Sequence, residues 1–138
     1  MNWLHICSLA NYFTQTQTIM VKVLQDTPDN IIGFRIAGEV ESRDYEYIIN
    51  PALNYHVKDQ GEARLYIELV DFEGETFKAL FEDIKTTVKH YGNFKKVGIA
   101  GKEDWIPGLV KAGNLLTPGV QVKHFGLKEK KKAMTWLK

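Results

Sequence analysis

The sequence predicts a single α/β domain with a mainly parallel sheet, in the order β-β-α-β-α-β-α-β-α. Its first strand runs antiparallel to the second, and the rest are joined by right-handed crossovers. Three observations support this. The length, 138 residues, suits one core. From Met20 onward, short stretches rich in β-branched residues alternate with stretches of helical period. The first two strands are separated only by turn chemistry, whereas each later pair is separated by a helix, which requires a crossover connection. The composition, 44% hydrophobic and 25% charged with a net charge of +1, is that of a globular protein rather than a disordered or fibrous one.

The elements follow in order. Met20 to Leu24 and Ile31 to Val40 form a hairpin across Thr27-Pro28-Asp29-Asn30, where proline presets φ and Asp and Asn bond their own backbone. Ser42 is placed to cap a helix carrying Tyr45, Ile48, Ile49, Ala52, Leu53 and Val57 on one face, with Asp44 and Glu46 near its positive end. Pro51 interrupts that helix, so a kink is expected near Tyr47 to Asn50, and Gly61 supplies the stop. Ala63 to Val70 is the next strand. The second helix bears the stripe Phe77, Leu80, Phe81, Ile84, Val88 and Tyr91 and closes at Gly92. Val97 to Ala100 is a strand, 103 to 116 a helix with Pro107 in its first turn, Val120 to Phe125 the last strand, and Leu127 to Leu137 a terminal helix.

Residues 1 to 19 read as an N-terminal extension, because His5 is their only ionisable side chain and they end in the polar run Thr14 to Thr18. Met20 is expected to be the natural start, and 20 to 138 the domain. Asn2-Trp3-Leu4-His5 lacks the basic opening of a secretory signal, and charged or amide side chains interrupt every apolar run before it could span a bilayer. Cys7 is the single cysteine, so no internal disulfide forms, and a reducing, cytoplasmic location is expected.

Chemistry is sparse. The four histidines lie on separate elements without metal-ligand spacing, and His90 falls in the last helical turn, where a cation is favoured. No nucleophile elbow and no phosphate-cradling glycine loop is present. Catalysis, cofactors and metals are therefore not expected. The lysine-rich stretch from Lys128 to Lys132 is read as a solvated helix face; without interleaved Arg or aromatic residues it gives no reason to expect nucleic acid. What is left lies at the carboxyl ends of the strands, where ligands of such sheets bind. Asp71, Phe72, Glu73, Thr76 and Trp105 are the candidate ligand or partner face there. The plainer roles of these groups are helix-dipole partners for the acids and core packing for Trp105.

The spaced motifs Pro28-Asp29-Asn30, Gly33-Phe34, Gly38, Asp44-Tyr45, Pro51-Ala52-Leu53, Phe72-Glu73-Gly74, Glu82-Asp83, Lys85, Lys89-His90, Gly92, Phe94, Val97, Trp105 and Ala133-x-x-Trp136-Leu137 resemble the SpoIIAA-like family. That family is related to the STAS domains and to the CRAL-TRIO (Sec14-like) lipid-binding domains. The resemblance implies a β-α superhelix without enzymatic activity, acting as a small cytosolic interaction or regulatory module in the manner of anti-sigma factor antagonists. Such domains switch by phosphorylation of a Ser at a helix start. The matching stretch here offers only Thr76, so the phospho-switch is not carried over. The alternative implied by the CRAL-TRIO relatives is a binder of a small apolar or lipid-like ligand. Homodimerisation is expected through the outer hairpin strand or the last helix.

Overall fold

In the computed structural model of the chain, the residues described are 21–38, 40–70, 74–102, 107–108, 110–111 and 119–138. Met20 and the extension before it lie outside them. Five strands form one sheet: β1 (Val21–Val23), β2 (Ile32–Ala37), β3 (Ala63–Val70), β4 (Phe94–Ala100) and β5 (Gln121–Phe125). Their spatial order is β1-β2-β3-β4-β5, with β1 antiparallel to β2 and every other pair parallel. The predicted α/β class and the antiparallel first strand are thus observed.

Because the parallel strands step in one direction without reversal, right-handed crossovers send their connections over the same face. The first connection, α1, is one helix in three parts: Ser42–Asp44 is α-helical, Tyr45–Ile49 π-helical and Asn50–Gln60 α-helical. The second, α2, spans Gly74–Tyr91. Of the third predicted helix, residues 107–108 and 110–111 are helical, and Val110 is buried in the same core as α1 and α2; the rest of 103–116 lies outside the described residues. That core is built on Phe34, Ile36, Leu65, Ile67, Leu69, Val97 and Ile99, which alternate along β2, β3 and β4. Ile49 and Leu53 of α1 and Val88 of α2 close it.

The opposite face is covered by the terminal helix α3 (Lys130–Leu137) and by Leu24 and Ile31 beside the first hairpin. Ala133 and Leu137 are fully buried against Tyr66, Ala100 and Phe125. Gly98 lies beneath this contact, and a Cβ there would meet Leu137 and Phe125 at 3.4 Å, an ordinary van der Waals distance. The carbonyls at the end of α3 are met by cations: Arg64 Nη1 donates to Leu137 O at 2.8 Å and Lys96 Nζ to Trp136 O at 2.7 Å. Positive charge complements the negative end of a helix.

Local punctuation largely follows the sequence. Gly61 and Gly92 take positive φ, 77° and 70°, and their N–H groups close the ends of α1 and α2 on Val57 and Val88. The expected interruption before Pro51 is the π-helical turn, in which Asn50 N–H bonds Tyr45 O five residues back. Proline cannot donate to the fourth residue behind it, and the wider turn absorbs the misfit. Several boundaries differ from expectation: β2 ends at Ala37 rather than Val40, β4 begins at Phe94 rather than Val97, and two helix starts shift. The N-cap of α1 is Glu41, not Ser42: Glu41 N–H donates to Asp44 Oδ2 at 2.8 Å, so the acidic residue three positions on holds the turn. The terminal helix begins at Lys130 rather than Leu127, because Gly126 N–H donates to Glu129 Oε1 at 2.7 Å and folds 126–129 into a turn.

His56 is the buried histidine of α1, 7% exposed, and its Nε2 has no hydrogen-bond partner. Burial lowers its pKa from the ordinary 6.5, opposed by Asp59 and by the hydrogen bond to the Asn30 backbone. The unfolded chain therefore takes up the proton first. Its contribution to stability is complete above pH 6.5 and is lost as pH falls toward the lower folded value. Urea denaturation of wild type and His56→Leu between pH 7.5 and pH 5 is expected to show a steeper stability decline in the wild type than in the variant.

Candidate functional site

The carboxyl ends of β2, β3, β4 and β5 share one edge of the sheet. Of the five residues expected to act there, Asp71, Phe72, Glu73 and Trp105 lie outside the described residues. Thr76 falls in the first turn of α2, as its position after β3 implied, though its side chain is not among those described. On this edge Gly101 N–H bonds Phe125 O at 3.0 Å, and His124 Nε2 lies 2.9 Å from Gly101 O, tying the end of β4 to β5. His124 is thus occupied structurally. A crevice for ligands in open parallel sheets forms where strand order reverses. This order has no reversal among the described strands.

A second polar group lies on the α3 face. Tyr66 and Glu68 sit two residues apart on β3, and Arg35 of β2 is in register with Glu68. Arg35 Nη2 stands 3.4 Å from Glu68 Oε1, while Glu68 Oε2 and the Tyr66 hydroxyl are buried without a hydrogen-bond partner. Burial first, then the nearby Glu68 carboxylate and Asp26, push the Tyr66 hydroxyl well above the ordinary tyrosine range, so it stays a neutral donor. Sequence reasoning passed over these residues as plain strand. The available signal was a glutamate in the middle of a central parallel strand, where both faces are normally apolar. The cluster offers a phenol, a carboxylate oxygen and a guanidinium for hydrogen bonding.

The lysines of α3 line an open trough of about 770 Å³ with Asp26, Glu129, Met134 and Thr135. Lys130 Nζ pairs with Asp26 at 2.6 Å and Lys132 Nζ with Glu129 at 3.3 Å, so part of the positive charge is met locally. Across the sheet, the void between α1, α2 and the strands is lined by apolar groups including Phe34, Leu53 and Ile67 and holds only about 20 Å³. That is room for one water. His90 lies in the last turn of α2 as expected. Among the described residues no His, Cys, Asp and Glu converge to hold a metal, and no helix is long and apolar enough to cross a membrane.

Fold and surface together define a single-sheet α/β domain with its crossovers on one face and its terminal helix on the other. The SpoIIAA-like family model matches residues 31–138, and the chain belongs to that family. A solved structure, that of an uncharacterised protein of the DUF3478 family with a SpoIIAA-like fold from Shewanella loihica PV-4, is similar at 25% identity. The match covers 86% of this chain and 92% of that one, with a TM-score of 0.60. No curated protein matches the chain.

Removing Arg35 leaves the Glu68 carboxylate buried without its counter-charge. Arg35→Ala is expected to destabilise by about 1–3 kcal/mol in urea denaturation, and adding Glu68→Gln to recover most of the loss. Equal instability of the single and double variants would show that the pair is not coupled.

Proposed function

We propose that the chain is a small non-catalytic, cytoplasmic interaction or regulatory module that acts by surface recognition of a protein partner. The role would be that of anti-sigma factor antagonist-type domains, without their phospho-switch. The family is generally non-enzymatic. The observation that carries the reading is the packing among the described residues: their apolar side chains fill the space between the sheet and α1, and the void they line takes a water and not a lipid. This favours surface recognition over an enclosed apolar ligand of the CRAL-TRIO kind. The proposed contact face is the strand-end edge with Asp71, Phe72, Glu73, Thr76 and Trp105, because loops displayed on a rigid sheet are where recognition residues concentrate.

Affinity capture from native lysate, with wild type and a Phe72→Ala/Trp105→Ala variant in parallel, tests this. A protein retained stoichiometrically by wild type and lost by the folded variant is expected. No retained protein, together with measurable turnover of a metabolite by the purified chain, would overturn the reading.

A further inference from the structure

Tyr47 and Tyr55 are the two large hydrophobic side chains left exposed among the described residues, at 73% and 74%. Both stand on the outer face of α1, opposite Ile49, Leu53 and His56, which face the core. Pro51 is exposed midway between them. Single exposed tyrosines need no explanation, but two on one stripe flanking an exposed proline form an apolar seam. Arg43, Tyr47, Pro51, Tyr55 and Asp59 recur at steps of four residues, the row along which the ridges of two helices pack side by side.

The charges decide what covers the seam. Measured from Pro51, Tyr47 and Tyr55 are each four residues away, Asp44 and Lys58 each seven, and Arg43 and Asp59 each eight. An antiparallel copy of the same helix, related by a two-fold axis at Pro51, therefore brings Tyr47 to Tyr55, Asp44 to Lys58 and Arg43 to Asp59, each pair formed twice. Opposite charge meets opposite charge at both ends, while the aromatic groups meet in the middle. Such self-complementarity is the requirement of an isologous dimer. The π-helical turn contributes to the alignment. In a straight α-helix, residues four apart drift by about 40° per step. The extra residue in the turn at Tyr45–Ile49 reduces that drift and keeps Arg43, Tyr47 and Pro51 on one side. The present partners of Arg43 and Asp59 are exposed: Arg43 contacts Glu41 at 3.1 Å with 74% of its side chain accessible, and Asp59 accepts a bond from Gln60; Asp44 Oδ2 keeps the Glu41 N–H at 2.8 Å, so its pairing with Lys58 falls to its other oxygen. Exposed pairs of this kind are weak and exchange readily.

We propose that the outer face of α1 is the interface of a homodimer, the occupant being a second copy of this chain in antiparallel orientation. The interface differs from the hairpin edge and last helix expected from the sequence, and it goes beyond the function proposed above. One helix face per protomer falls short of the ~800 Å² per partner of a standard interface, so association is expected in the micromolar range.

Sedimentation velocity on the full chain over a wide concentration series provides the test. Wild type is expected to pass from monomer to dimer, and Tyr47→Ala/Tyr55→Ala to weaken the dimer at least about tenfold. Arg43→Asp and Asp59→Arg each place a charge that suits its helix end, so neither harms α1 itself. Each alone is expected to weaken the dimer, and the double reversal Arg43→Asp/Asp59→Arg to restore it, with circular dichroism showing that all fold. A wild type that stays monomeric throughout, or a dimer indifferent to these changes, would overturn the proposal.

Discussion

The direction in which the parallel strands are added governs the rest of this structure. Stepping from β2 to β5 without reversal, with right-handed crossovers, puts α1, α2 and the helical residues near Val110 on one face. Among the described residues, α3 and the residues beside the first hairpin cover the other face. The apolar alternation of β2, β3 and β4 fits this asymmetry. Branched and aromatic side chains fill the crossover face, whereas the α3 face carries Gly33, Arg35, Tyr66, Glu68, Gly98 and Ala100. Gly98 and Ala100 lie beneath α3 and Gly33 beneath Leu24 and Thr27, and the polar pair Arg35 and Glu68 shares this face.

Topology also shapes what the protein can do. A sheet without a switch point lacks the ready-made crevice that nucleotide-binding α/β folds exploit. Among the described residues, Phe34, Ile36, Leu53, Leu65 and Ile67 pack the crossover face around a void of about 20 Å³. In the reading proposed above, recognition falls to exposed edges and helix faces, such as the outer face of α1 that carries Tyr47 and Tyr55.

Much of the fold was legible because its signals are local. The Thr27 to Asn30 turn, the stop at Gly61, the cap at Gly92 and the interruption before Pro51 each follow from the backbone preferences of one or two residues. Boundaries set by side chains reaching back along the chain were less legible, as with Asp44 closing on Glu41 and Glu129 on Gly126. The candidate site was the least legible part. Arg35 and Glu68 are 33 residues apart and become neighbours only through the register of β2 on β3, which no local pattern specifies. The symmetry of α1 about Pro51 was present in the sequence, yet it acquires meaning only once the helix face carrying Tyr47 and Tyr55 is known to be exposed.

The central claim is that the interior is closed by the chain's own side chains, so that the protein works from its surface. Native mass spectrometry of the protein isolated from its own cells, sprayed under non-denaturing conditions, addresses this most directly. Peaks at the mass of the chain and its whole-number multiples, with no adduct in the lipid range, are the predicted result. A stoichiometric apolar adduct that survives purification and is released on unfolding would contradict it.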